Sequence, residues 1–110
     1  MVPEPELTLV VNRRGTIVGY TIGNDLSCRD IEGENPLYIP QAKIFAGCCA
    51  LGPVLLAPDD WTTPRTIEMR ILGSDGTVVF SGATSTARMR RTILELTEWL
   101  TLLSNQVAER

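Results

Sequence analysis

Histidine is absent from the 110-residue chain. The chain therefore supplies no histidine-based triad, no histidine general base and no histidine ligand for zinc. Three cysteines, of which Cys48 and Cys49 are adjacent, do not make the framework of a disulfide-rich secreted domain. The net charge of −3 argues against nucleic-acid partners, which require basic surface. A reduced, cytoplasmic protein fits these absences best.

Long apolar runs are missing as well. No segment approaches the roughly 20 apolar residues of a membrane span, and the opening "MVPEPELTLVV" lacks the basic start of a secretory signal. We therefore expect no membrane partner. Hydrophobic residues make up 44% of the chain, which suits one small folded domain. We expect a single domain over residues 1–110.

What the chain does contain is strand patterning. "ELTLVV", "NRRG" and "TIVGYTIG" predict a β-hairpin with its turn at Asn12–Gly15. If Asn12 pairs with Gly15, alternation places one apolar set on a buried face. That predicted face consists of Leu7, Leu9, Val11, Val18, Tyr20 and Ile22.

Further elements follow towards the C-terminus. "CCALGPVLLAP" predicts a short buried strand that ends at Pro58, and "RTIEMRILGSDGTVVFSG" predicts a second hairpin. A helix is expected from about Thr86 to Asn105, capped by Ser85 or Thr86. Its apolar stripe would be Met89, Ile93, Leu96, Leu100 and Leu103. The predicted class is α+β, mainly antiparallel β with one C-terminal helix.

Three carboxylates fall on the other face of the first hairpin. In the predicted register Glu4 pairs with Gly23, so Asp25 lies diagonally across from Glu4 and on the same face as Glu6. Carboxylate oxygens select Mg²⁺, Mn²⁺ or Ca²⁺ over softer metals. The alternative is a solvated outer face, and the spacing alone favours it because E-x-E is a weak motif.

The stretch "GNDLSCRDIEGENPLYIPQAKIF", residues 23–45, shows almost no periodicity. Long loops without structure of their own are uncommon and often functional. Its basic residues, Arg29 and Lys43, are either site residues or ordinary solvent-exposed charges. For Cys48 and Cys49 the favoured reading is small apolar packing.

These motifs resemble a known family. "PEPEL", "GYTIGNDLSCRDIEGENPLYIPQAKIFAG" and "LGP" look like the fumarylacetoacetate hydrolase superfamily. The insert "RDIEGENPLYIPQAKIF" and the later "STARMRR" look most like its 2-keto-3-deoxy-D-arabinonate or xylonate dehydratase branch. The resemblance runs from about Val2 to Leu103. It implies part of a fumarylacetoacetate hydrolase-like β-roll, a piece of a longer C-terminal catalytic domain, and a homo-oligomer.

The resemblance also implies a metal site and a lysine beside it. Glu4, Glu6 and Asp25 match the family ligands of a divalent cation, usually Mg²⁺, with Mn²⁺ or Ca²⁺ as alternatives. Lys43 matches the lysine that contacts the substrate near the metal. A neighbouring cation disfavours an ammonium, which would suit Lys43 to proton transfer.

The segment "SCRD" completes the implied substrate-binding set. Arg29 matches the arginine that holds the loop or the substrate, and Ser27 and Asp30 belong to the same segment. Lys43 and Arg29 are the expected catalytic residues. Glu32 stands where the hydrolase branch commonly has glutamine, which counts against fumarylacetoacetate as substrate.

The implied function is Mg²⁺-dependent dehydration of a 2-keto-3-deoxy pentonate to a 2,5-dioxo acid through a metal-stabilised enolate. The expected partner is thus a small 2-keto acid. Two alternatives stay open: hydrolysis of a C–C bond in a diketo acid, and a non-catalytic module that binds the metal and a keto acid.

Overall fold

The structure is a computed structural model that describes residues 1–58 and 60–108, with side chains described as far as residue 102. The mainly antiparallel α+β architecture is confirmed. The strands are β1 (Pro5–Val11), β2 (Ile17–Asp25), β3 (Cys49–Leu51), β4 (Thr66–Leu72) and β5 (Val78–Ser85). The helices are α1 (Arg29–Glu34), α2 (Ile39–Ala42) and α3 (Ile93–Ala108), with 3₁₀ turns at Pro36–Tyr38 and Thr86–Arg88.

The chain forms two compact units. The first comprises residues 1–8 and 21–55, and the second comprises residues 9–20 and 56–110. One sheet has the strand order β1-β2-β3, and β4 and β5 form a separate antiparallel pair. A single domain over residues 1–110 and a homo-oligomer stay predictions. Among the helices in the described part of the chain, none is long and apolar enough to cross a membrane.

The β1–β2 hairpin forms, but its register differs from the prediction. At the turn Asn12 N–H donates to Thr16 O (2.9 Å), and Gly15 is an extra residue with φ +76°. At the other end Asp25 N–H donates to Glu4 O (3.0 Å). Between these points β1 takes eight residue steps and β2 takes nine. One further residue is therefore inserted in β2, and Glu4 lies opposite Asp25 rather than opposite Gly23.

The inserted residues explain why the predicted buried face is wrong in part. A one-residue offset at the turn moves the side chains of β2 to the other face there. Val18 is 41% exposed and Ile22 is 47% exposed, whereas Gly19 and Gly23 are buried. The second offset restores the parity at the far end of the hairpin. Glu4 and Asp25 thus share a face, as predicted, although by a different pairing.

The second hairpin agrees with its prediction. Ile67 and Met69 are half-buried, while Glu68 between them and Arg70 after them are exposed. The turn closes with Gly73 N–H donating to Thr77 O (2.8 Å). The strand predicted over residues 48–58 is shorter than expected, because β3 covers only Cys49–Leu51, and its residues are exposed rather than buried.

Helix α3 begins later than predicted. Thr92 and Glu95 form a capping box, in which Glu95 N–H donates to Thr92 Oγ1 (3.2 Å) and Thr92 N–H donates to Glu95 Oε2 (2.6 Å). Ser85 caps only the short 3₁₀ turn, where Ala87 N–H donates to its Oγ (3.2 Å). Met89 consequently lies outside the helix, and the Leu103 side chain lies outside the described residues.

The segment predicted as an unstructured loop contains α1, a 3₁₀ turn and α2. Asn35 starts the turn, since its Oδ1 accepts from Leu37 N–H (2.9 Å). Cys28 N–H donates to the carbonyl of Ala42, a fully buried residue (2.8 Å). This hydrogen bond brings the end of the segment back to its beginning and places Lys43 beside the end of β2.

Candidate metal centre

The structure brings Glu4, Glu6 and Asp25 together, and we call these residues the carboxylate cluster. One carboxylate oxygen from each lies within 4.8 Å of the others. The pairing of Asp25 N–H with Glu4 O sets two of them side by side. Asn24 reinforces this arrangement, because its Oδ1 accepts from Glu4 N–H (3.0 Å). Asn24 was not among the predicted site residues, although its place between Gly23 and Asp25 in "GND" was an available signal.

Lys43 forms ion pairs with two members of the cluster. Its Nζ lies 2.8 Å from Glu4 Oε2 and also contacts Asp25 Oδ2. Hydrogen bonds to Asp25 and then to Glu4 raise the pKa of Lys43, and the bond from Lys43 is the largest cause that lowers the pKa of Glu4. The two carboxylates thus stabilise the ammonium form, an effect opposite to that of the neighbouring cation expected from the sequence.

Arg29 is the first residue of α1 and lies at the same site. Its guanidinium donates to Glu4 Oε1 (3.1 Å) and pairs with Glu32 Oε2 one helical turn later. From the sequence, Glu32 was expected only as a departure from the hydrolase pattern. The structure shows that Glu32 holds Arg29 against the cluster.

Ser27 and Asp30 occupy different positions around the site. Ser27 is fully buried, exchanges two backbone hydrogen bonds with Val2 (2.8 and 3.0 Å), and has its Oγ 3.5 Å from the Asp25 carbonyl. Its position supports the strand that carries Asp25. Asp30 lies on α1 and is exposed. A role for either residue in substrate binding stays a prediction.

The net charge of the site is suited to binding a divalent cation. Four carboxylates, from the cluster and Glu32, face the two cationic groups of Arg29 and Lys43. Two negative charges are therefore left over. Within the described part of the chain Glu6 makes no ion pair, so its oxygens are available. An all-oxygen donor set carrying this charge fits Mg²⁺.

Nearly the whole chain matches a model of a known protein family. The family model described as the C-terminal part of fumarylacetoacetate (FAA) hydrolase matches residues 4–105. The chain belongs to the fumarylacetoacetate hydrolase family. The match contains the whole carboxylate cluster together with Arg29 and Lys43.

Two relatives similar to this chain are named as dehydratases. The chain is 52% identical over 101 residues to a probable 2-keto-3-deoxyxylonate dehydratase from Haloferax volcanii, covering 91% of this chain and 35% of that protein. It is 48% identical over 99 residues to the 2-dehydro-3-deoxy-D-arabinonate dehydratase of Saccharolobus solfataricus, covering 89% and 33%. The chain therefore spans about a third of the length of these relatives.

Solved structures of the same enzyme type share the fold. A 2-keto-3-deoxy-D-arabinonate dehydratase complexed with magnesium and 2,5-dioxopentanoate is 46% identical and superposes with a TM-score of 0.82. The alignment covers 90% of this chain and 36% of that one. An apo form gives a TM-score of 0.74 at 45% identity, with the same coverage. This family fold was expected from the resemblance and is confirmed.

Proposed function

We propose that this chain carries the cation- and keto-acid-binding part of a dehydratase that acts on a 2-keto-3-deoxy sugar acid. The observation that carries the proposal is the carboxylate cluster with Lys43 and Arg29 paired to it. Support comes from its relatives, which are named as dehydratases of such acids. One similar structure contains magnesium and a dioxo acid.

The carboxylate cluster would hold the cation, for which Mg²⁺ is the first choice. A divalent cation there supplies Lewis-acid stabilisation of negative charge on the keto oxygen of the substrate. The β1–β2 pairing and Asn24 position the backbone that carries the three carboxylates, and Lys43 Nζ would have to give up oxygens of Glu4 and Asp25 when the ion binds. The ionised state of Glu4 also favours this use, because Lys43 lowers its pKa.

Lys43 would act on the substrate rather than on the cation. Dehydration removes a proton from C3 and the hydroxyl group from C4. An ammonium at Nζ is suited to deliver a proton to the departing C4 hydroxyl, which then leaves as water, while the C3 proton passes to solvent and the Lys43 amine is reprotonated from solvent. The contacts of Nζ with Glu4 and Asp25 support this assignment, because they hold the ammonium at the edge of the cluster.

Arg29 would bind the substrate carboxylate. Its side chain is 52% exposed, so the guanidinium faces solvent as well as its two acidic partners. A guanidinium offers paired donors that match a carboxylate. Glu32 and Glu4 fix one side of the group and leave donors for a ligand.

A second candidate is binding of the cation and a keto acid without turnover. It needs only the carboxylate cluster and the Arg29 guanidinium, which would bind a cation and a carboxylate without any proton transfer. One assay separates the candidates: the chain is incubated with Mg²⁺ and 2-keto-3-deoxy-D-arabinonate, and the products are identified by mass spectrometry. Formation of 2,5-dioxopentanoate supports the dehydratase. Products of C–C cleavage, or binding without turnover, contradict it.

A further inference from the structure

The face of the sheet that carries the carboxylate cluster continues onto β3. β2 and β3 are antiparallel, with Asp25 opposite Cys49 and Gly23 opposite Leu51. Residues directly opposite each other in a sheet have their side chains on the same face. Cys49 and Leu51 therefore lie on the face of Asp25, and Ala50 between them points to the other face.

The pairing type makes this neighbourhood close. Leu26 N–H donates to Cys48 O (2.7 Å), so these two residues form a hydrogen-bonded position of the ladder. Hydrogen-bonded and non-hydrogen-bonded pairs alternate along antiparallel strands. The next pair, Asp25 and Cys49, is thus non-hydrogen-bonded, the geometry in which opposing side chains lie closest.

Leu51 forms an apolar wall over Gly23. A Cβ atom placed on Gly23 would lie 3.7 Å from Leu51 Cδ2. Gly23 is two residues from Asp25, a separation of about 6.7 Å along a strand. Leu51 is nonetheless 63% exposed, so its outer side is open. Leu51 thus presents an exposed apolar side chain beside the carboxylate cluster, opposite a residue two positions from Asp25.

We propose that Cys49 and Leu51 line the substrate site on the β3 side, where they contact the carbon chain of the keto acid beyond its keto group. The proposal rests on the proposed function, because it takes the keto acid to bind at the carboxylate cluster. A ligand held there by its keto and carboxylate oxygens has its chain over the same sheet face. Leu51 then favours longer keto acids over pyruvate, which is too short to reach it.

Cysteine alkylation tests the position of Cys49. The chain is treated with N-ethylmaleimide in the presence of Mg²⁺ alone, Mg²⁺ with pyruvate, and Mg²⁺ with 2-oxopentanoate, and each cysteine is quantified by peptide mass spectrometry. We expect 2-oxopentanoate to slow labelling of Cys49 in proportion to the fraction of protein bound. Cys48 is the internal control, because its side chain points to the opposite face and should keep its rate.

Truncation of the apolar wall tests the role of Leu51. Calorimetry in Mg²⁺ should show that Leu51→Ala weakens 2-oxopentanoate by about tenfold or more, the usual effect of lost methylene contacts, and leaves pyruvate unchanged. Val54→Ala is the matched control, since Val54 is 68% exposed and lies outside β3.

The outcomes separate this inference from the function on which it rests. If calorimetry detects no Mg²⁺ binding, the proposed function fails. If Mg²⁺ and 2-oxopentanoate bind but Cys49 is labelled at an unchanged rate, the proposed function stands. The proposal that Cys49 and Leu51 line the substrate site is then wrong. Equal losses of pyruvate and 2-oxopentanoate in Leu51→Ala also contradict the wall.

Discussion

Replacing Gly23 by alanine should disturb the site although Gly23 carries no functional group. The added Cβ would lie 2.2 Å from Thr8 Oγ1 and 3.5 Å from Thr8 Cβ. The first distance is far inside van der Waals contact, and the second is ordinary. Thr8 is β-branched, so its χ1 rotation is restricted, and relief of the clash requires a less favourable rotamer of Thr8 or a shift of the strands. Those strands, β1 and β2, carry the carboxylate cluster.

The magnitude follows from the cost of overpacking. Inserting a methyl group into occupied space typically costs about 1–3 kcal/mol. Thr8→Ala removes Oγ1 and leaves the ordinary contacts at 3.5 Å, with Cβ of residue 8, and at 3.7 Å, with Leu51 Cδ2, so the double variant Gly23→Ala/Thr8→Ala should regain most of this loss. In a double-mutant cycle the two substitutions should therefore be strongly coupled.

Urea denaturation followed by circular dichroism measures the four corners of the cycle. Gly33→Ala is the matched control, because a Cβ there meets nothing within 4 Å and alanine favours the helix α1. We expect that control to be neutral or slightly stabilising. A Gly23→Ala variant as stable as the parent, or one that Thr8→Ala does not rescue, would refute the reasoning.

Four other predictions concern charged and capping residues. Lys43→Met should bind Mg²⁺ more tightly in calorimetry, because the ammonium no longer competes for oxygens of Glu4; weaker binding would contradict this. Arg29→Ala should raise KM for the keto acid more than it lowers kcat in steady-state kinetics; an effect on kcat alone would exclude a substrate-holding role. Thr92→Ala should cost about 1 kcal/mol in urea denaturation through loss of the α3 cap. Glu95 has a lowered pKa, mainly through the Thr92 backbone N–H, so its stabilisation is present above its unfolded pKa and fades as pH falls. Glu95→Gln should flatten this acid dependence, and an unchanged slope would show that Glu95 does not cause it.

Much of the site could be predicted from the sequence because parity, rather than register, decides which residues share a face. The predicted pairing of Glu4 with Gly23 is wrong by two residues, yet an even offset leaves Asp25 on the same face as Glu4. At the turn the offset is one residue, an odd number, so Val18 lies on the opposite face from the one predicted. No turn rule applied to "NRRG" revealed the second inserted residue in β2, because bulges depend on packing of the whole sheet.

Ion pairs between residues that are distant in the chain could not be predicted from the sequence pattern. Lys43 meets Asp25 only because α1 and α2 fold the intervening segment back, and the short helices have no clear apolar period. The start of α3 was different, because "TILE" at residues 92–95 is a capping-box sequence. Because the apolar stripe included Met89, the helix was predicted to start at Thr86. Threonine is also a favoured N-cap residue.

The central claim is that the carboxylate cluster binds one divalent cation, and titration calorimetry with Mg²⁺ tests it most directly. We expect one ion per chain for the parent and no measurable binding when all three members of the cluster are replaced by alanine. A control with the same change in net charge replaces three exposed glutamates elsewhere, Glu34, Glu68 and Glu98. That control should bind Mg²⁺ like the parent. Equal binding by the cluster variant and the parent would contradict the account.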